Sequence, residues 1–227
     1  MRKFLKFFSL AKIKIAFLLL LLFTLYIGIS AYSYVVAVSS DIADSVFRLH
    51  ILANSDSKED QDLKYMVRDA VIDYMDSLTS ESTTKQQAIA IAQEHQNEFK
   101  EIAEQVIKAN GYSYSVSIEI GNFDFPTKTY GDISLPAGKY DALRIKIGEA
   151  QGQNWWCVMF PPLCFVDVSS GIVPEESKSQ MQDSLSEEEY QLVSEGNSEE
   201  TANSGAIQFK FKLVEWLQSV PIFTAKN

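Results

Sequence analysis

The sequence predicts an α+β domain of order β-α-α-β-β-β-β. Two antiparallel helices pack on one face of a mainly antiparallel sheet, behind an N-terminal membrane or signal helix and ahead of a short C-terminal helix. Three observations carry this prediction. An apolar run, Ile15 to Ile29, follows a basic start; two stretches between residues 57 and 111 repeat apolar residues at helical spacing; and the stretches on either side of them alternate with period two.

The N-terminus comes first. Residues 1–14 hold Arg2, Lys3, Lys6, Lys12 and Lys14 and no acid, and the chain then stays uncharged from Ile15 to Ser40. This is the n-region and h-region of an export segment. The uncharged stretch exceeds the about 20 residues that cross a hydrocarbon core, so length alone fits a cleaved signal peptide and a retained anchor equally. Ile29-Ser30-Ala31 and Val35-Val36-Ala37 are both acceptable to a signal peptidase. Either outcome places the rest of the chain outside, because the basic residues stay cytoplasmic. Residues 1–40 are therefore read as signal peptide or membrane anchor.

The whole chain has a formal net charge of −10, and with the five N-terminal bases set apart the remainder is near −15. Such a surface repels polyanions, and nucleic acid is not an expected partner. Residues 41–173 suffice for one domain with its own core.

Within that domain Val46 to Leu52 alternates, with Phe47, Leu49 and Ile51 on one face and Arg48 and His50 on the other, as a first strand. Asn54-Ser55-Asp56-Ser57 stops it, and Ser57 with Asp60 three residues on marks a helix start. The first helix shows Leu63, Met66, Val67, Ala70, Tyr74 and Leu78 as one apolar stripe. Thr83-Thr84 opens a second, striped by Ala88, Ile91, Ala92, His95, Phe99, Ile102, Ala103 and Val106, and Asn110-Gly111 closes it. Tyr112, Tyr114, Val116, Ile118 and Ile120 then alternate with Ser113, Ser115, Ser117 and Glu119 in a strand with one wet face. A weaker strand over Phe125 to Ile133, a turn at Leu135-Pro136-Ala137-Gly138-Lys139 and a strand from Tyr140 to Ile147 follow. The last strand is Asn154-Trp155-Trp156-Cys157-Val158-Met159-Phe160, ended by Pro161-Pro162. Both of its faces are bulky and uncharged, so it is expected in the interior of the sheet.

Beyond residue 173 the composition turns acidic and polar, and residues 174–205 are expected as a disordered linker. Phe209, Leu213, Trp216, Leu217 and Val220 then recur at helical spacing, giving a short amphipathic helix within residues 206–227.

Chemistry-bearing residues are few. The chain has two histidines and two cysteines. His95 lies in an apolar stripe and is read as packed. His50 lies on the polar face of its strand, from which it could face Cys157 across the sheet, so an exported Cys-dependent hydrolase using Cys157 and His50 is the alternative reading. Against it stand the crowding around the cysteine and the lack of a glycine-rich oxyanion turn beside it. His50, His95, Cys157 and Cys164 show no zinc spacing, and no metal or other cofactor is expected. Cys157 and Cys164 flank the Pro-Pro bend; a disulfide is open to them if the chain reverses there, and two buried thiols are the other reading.

Three motifs in order are uncommon: Phe47-Arg48-Leu49-His50-Ile51-Leu52-Ala53-Asn54-Ser55-Asp56-Ser57, Leu135-Pro136-Ala137-Gly138-Lys139-Tyr140 and Asn154-Trp155-Trp156-Cys157-Val158-Met159-Phe160-Pro161-Pro162-Leu163-Cys164-Phe165. Together, across residues 45–167, they resemble the stage II sporulation protein R family of endospore-forming bacteria. That resemblance implies a non-enzymatic signalling protein, exported from the forespore into the intermembrane space and either secreted or anchored there. Its partner would be a membrane-embedded sporulation aspartic protease, which it activates by contact so that a pro-sigma factor is processed. On this reading Arg48, His50, Asn54 and Asp56 form one candidate edge of the contact, and Trp155, Trp156, Pro161 and Pro162 the other, since aromatics and arginine carry much of the energy of interfaces.

Overall fold

The computed structural model describes residues 2–79, 84–164, 173 and 175–194. Its backbone divides into two units, Met1–Val38 and Ser39–Asn227. Helix α1 (Arg2–Ser45) makes up the first and enters the second. In the first unit Lys12–Ser30 is long and apolar enough to cross a membrane, and the large apolar side chains from Ile13 to Ile29 are exposed, which suits a signal segment or an anchor.

The second unit begins with the last turns of α1, where Ile42 and Ala43 are buried. The Lys85 ammonium donates to the Ala43 carbonyl at 3.0 Å and pairs with Asp141 at 2.8 Å, satisfying one of the orphan acceptors at the helix end. Then come β1 (Phe47–Leu52), α2 (Lys58–Leu78), α3 (Lys85–Glu94), α4 (Gln96–Ala109), β2 (Val116–Phe125), β3 (Lys128–Tyr130), β4 (Ile133–Leu135), β5 (Gly138–Ile147), β6 (Asn154–Phe160), α5 (Glu175–Ser184) and α6 (Glu187–Ser194). The fold is α+β with helices on one face of a sheet dominated by antiparallel pairs.

Helix boundaries follow local chemistry. The Ser57 hydroxyl accepts from the Asp60 amide at the start of α2, and Thr84 and Gln87 form a reciprocal capping box at the start of α3. The second predicted helix is broken at His95, whose backbone (φ −100°, ψ 22°) separates α3 from α4. Asn110 ends α4, and Gly111 takes the left-handed turn (φ 84°) that a side chain disfavours.

The main sheet has the order β2-β5-β1-β6, with β1 and β5 parallel and the two outer pairings antiparallel. The central strands are therefore β1 and β5. The Trp-Trp strand β6 is an edge strand, contrary to the interior position its composition suggested. Its free edge is covered from within: the Tyr130 hydroxyl donates to the Trp156 carbonyl at 3.0 Å and the Leu163 amide to the Val158 carbonyl at 3.0 Å. Bulk on both faces thus reflects covering by side chains and a returning loop, one way of protecting an edge.

The weak strand expected over residues 125–133 is instead two short strands, β3 and β4, forming a hairpin outside the main sheet. On the helix side of the sheet Leu49, Ile51, Leu143, Ile145 and Cys157 pack in one core with Leu63, Val67, Met75, Phe99 and Ala103.

The tract expected as a disordered linker carries α5 and α6 within its described residues. Its apolar residues are few but spaced to share faces: Met181 and Leu185 are buried, as are Tyr190 and Val193. Ser186 and Glu189 form a capping box, each backbone amide bonded to the other's side chain. Averaged composition hides such spacing. Helix α6 packs against β4, and Lys178 of α5 pairs with Asp132 in the hairpin turn at 2.7 Å. The expected C-terminal helix, residues 206–227, lies outside the described residues.

Candidate functional site

Alternation along β1 sends Leu49 and Ile51 to the helices and Arg48 and His50 to the opposite face. Arg48 is fully buried there. Its guanidinium lies 4.1 Å from the Phe125 ring centre and 4.7 Å from that of Tyr140, and its Nη2 donates to the Tyr130 hydroxyl at 2.6 Å. A longer contact of 3.5 Å runs from Nε to the Cys157 carbonyl, and Nη1 has no partner. Among the described residues no carboxylate forms an ion pair with it. The charge is held by aromatic faces and phenol oxygen, an arrangement that offsets only part of its desolvation. Burial raises the pKa of both Tyr130 and Tyr140, with Arg48 opposing it, so both stay neutral donors. The Tyr140 hydroxyl is committed to the Pro136 carbonyl at 2.6 Å, which ties the Leu135–Tyr140 motif to this face.

His50 lies two residues on. Its ring stacks on Trp156 with centroids 3.7 Å apart, and Nε2 meets Asn154 Oδ1 at 2.8 Å, while Nδ1 is buried without a partner. Burial lowers its pKa to about 4, the Asn154 hydrogen bond opposes this, and Arg144, Arg48 and Lys146 lower it further. At neutral pH the ring is uncharged.

This geometry corrects the alternative reading of a Cys157–His50 pair. Across the β1–β6 ladder His50 lies opposite Trp156, and Cys157 lies opposite Leu49 on the helix side. The sulfur is also bonded to Cys164 in a disulfide of 7-residue separation, and the described residues contain no free cysteine.

Asn54 and Asp56 are placed elsewhere, in a clasp at the start of α2. Asp60 accepts from Asn54 Nδ2 at 2.8 Å and from the Ser55 hydroxyl at 2.6 Å, while Asn54 Oδ1 accepts from the Glu149 amide and Asp56 from the Gln153 amide. Burial pushes the Asp60 carboxyl up, but bonds from Ser55, Asn54, Tyr114 and Ser57 outweigh it and hold it below the usual range. Gly152 is required at this clasp because a Cβ there would run into the Ser55 carbonyl. The polar motif thus joins β1, α2 and the loop before β6.

Trp155 is on the helix side, half-buried, with the Arg68 guanidinium 4.5 Å from its ring centre and Tyr65 edge-on at 5.4 Å. Pro161 follows a cis peptide bond and, with Pro162, turns the chain back toward β6. Of the proposed contact residues the structure brings together Arg48, His50 and Trp156. Sequence reasoning missed their neighbours Phe125, Tyr130 and Tyr140, although Tyr140 ends a quoted motif and its aromatic spacing was on view. His95 is satisfied by Tyr74, whose hydroxyl lies 3.0 Å from Nδ1.

Fold and site together define an α+β domain behind an apolar helix, with a cation enclosed by aromatics and no metal-holding cluster among the described residues. The chain belongs to the stage II sporulation protein R (spore_II_R) family, which matches residues 43–170. It is similar to Stage II sporulation protein R of Bacillus subtilis (strain 168), with 37% identity over 185 residues, covering 79% of this chain and 83% of that protein. No solved structure matches it.

Proposed function

We propose that this chain is an exported signal of sporulation that activates a membrane-embedded aspartic protease by protein–protein contact, so that a pro-sigma factor is processed. The observation that carries the reading is the family match over the folded domain, residues 43–170, directly behind an apolar segment suited to export or anchoring. A contact through the face of β1 and β6 agrees with its chemistry, since Arg and Trp concentrate binding energy. The acidic clasp at Asp56 is a second edge of the same contact, in reach of basic groups. Release and anchoring differ only in what happens to the N-terminal segment.

The test is reconstitution in a host that does not sporulate. This chain, the membrane protease and the pro-sigma substrate are co-expressed, and processing is read with and without residues 1–40. Processing that depends on this chain supports the reading, and Arg48→Met, which strands no charge at this buried position, and Asp56→Lys are expected to weaken it while the melting temperature stays close to that of wild type. Processing that proceeds equally without this chain refutes it.

A further inference from the structure

On the contact face one cation stands apart, Arg48 of β1. Three features of this cation are unusual together. It is completely buried, it forms no ion pair with a carboxylate among the described residues, and one of its amino groups has no partner. A buried guanidinium ordinarily has an anion against its fork, because two parallel hydrogen bonds to a carboxylate are the geometry it matches. Here two neutral phenols, Tyr130 and Tyr140, stand against the guanidinium; Nη2 is bonded to Tyr130, and Nη1 has no well-aligned hydrogen-bond partner. The neighbouring His50 Nδ1 is also buried and unpaired on the same face.

The part that covers Arg48 is a two-stranded hairpin outside the main sheet. Tyr130 ends β3, whose three residues are half-buried or exposed, whereas all three residues of its partner β4 are buried. The hairpin has no ladder to the main sheet. Tyr130 holds its place through Arg48 and the Trp156 carbonyl, and the turn beyond it is tied to α5 by Asp132 and Lys178. Turning Tyr130 outward breaks two side-chain hydrogen bonds and takes its ring off the core it packs against, while β4 stays as the anchored edge.

We propose that Arg48 is the receptor of a carboxylate site. When Tyr130 swings out with β3, the guanidinium takes an acidic side chain of the partner protein in its place, with Nη1 and Nη2 as the two donors. The inference rests on the contact reading above and names what the contact recognises. The hairpin is its door and the Asp132–Lys178 pair its latch: weakening the latch eases entry.

Acetate is the probe. The full-length chain in detergent micelles is melted across a series of acetate concentrations, with chloride at equal ionic strength as the reference. Wild type is expected to show a saturable upward shift in melting temperature, since a ligand that binds only the folded state stabilises it. Tyr130→Phe, which removes the competing hydroxyl, and Asp132→Asn, which releases the latch, are each expected to move the half-saturation point several-fold lower. Arg48→Met is expected to show no acetate-specific shift. Equal shifts in wild type and Arg48→Met, no shift in wild type and both door variants, or indifference to Tyr130→Phe and Asp132→Asn would each overturn the site. The co-expression assay keeps the two readings apart. If Arg48→Met abolishes processing while acetate shifts all proteins alike, the carboxylate site is wrong and the contact reading stands; processing independent of this chain removes the contact reading, whatever acetate does.

Discussion

On one side of strand β1, Leu49 and Ile51 are buried with Val67, Phe99 and Ala103, and on the other side Arg48 and His50 are buried with Phe125, Tyr130 and Trp156. The strand residues on both sides are buried, yet they are stabilised differently. The helix side gains from removing apolar area from water, roughly 25 cal/mol per Å². The opposite side keeps polar atoms dry and leaves Arg48 Nη1 and His50 Nδ1 unpaired. Burial alone therefore does not single out a residue for a functional test, whereas a buried polar group left unsatisfied calls for one.

The largest expected effect lies on the helix side. Phe99 is fully buried and meets Tyr74 edge-on at 5.1 Å. Phe99→Ala is expected to destabilise the domain by about 3–5 kcal/mol, the range for removing a buried aromatic. Denaturant melts measure it. A loss below about 1 kcal/mol would mean this side is not the tighter of the two.

Acid should act through the opposite side. His50 is depressed to about 4, below the ordinary value of about 6.5 in the unfolded chain. The unfolded state therefore binds more protons between those values, so the stability is fully present above about pH 6.5 and is lost as pH falls toward about 4. The ceiling of the loss is about 3 kcal/mol. Comparing wild type with His50→Gln at pH 7 and pH 4.5 isolates it, and equal pH slopes in the two proteins would show that His50 does not carry the effect. Asp60, also depressed, loses its contribution at lower pH still, as its carboxylate is protonated.

Arg48→Met is expected to shift stability by no more than about 1 kcal/mol in either direction. The size follows from what is missing: without a carboxylate partner, deleting the cation strands no opposite charge, and the loss of aromatic contacts is offset by ending its desolvation. The Tyr130 hydroxyl keeps its bond to the Trp156 carbonyl. Near-neutral stability alongside lost processing would separate function from folding on this side. A loss of several kcal/mol would instead make Arg48 a structural element.

Much of the helix side was legible in the sequence because its signals are local. The alternation of Phe47, Leu49 and Ile51, the cap at Ser57 and the stripe ending at Asn110-Gly111 each concern neighbours in the chain, and the structure has them where they were expected. The opposite side is assembled from residues far apart. Tyr130 reaches Arg48 across a hairpin, and a strand's neighbours on either edge are set by pairing, which composition does not report; hence β6 was placed inside when it lies outside. The polar motif Asn54–Ser57 read as contact or cap, and its closure on the amides of Glu149 and Gln153 could not be seen without the fold.

The smallest expected effect concerns two caps that resemble each other in sequence. Ser57 caps α2 inside the clasp, and Ser186 caps α6 in the acidic tract. Each serine-to-alanine change removes one acceptor for an end-of-helix amide, a loss of about 1 kcal/mol in isolation. The two sites should nonetheless differ in coupling. Ser57 donates its own amide to the Ser55 hydroxyl, which in turn donates to Asp60, so Ser55, Ser57 and Asp60 share partners. A double-mutant cycle of Ser55→Ala and Ser57→Ala is expected to depart from additivity by at least about 0.5 kcal/mol, as for groups in one network. Ser57→Ala with Ser186→Ala, which share no such bond, should add within about 0.3–0.5 kcal/mol. Chemical denaturation of the three single and two double variants measures both. Additivity in the first pair would show that the clasp is a set of independent bonds, and the motif would then owe its form to each cap separately.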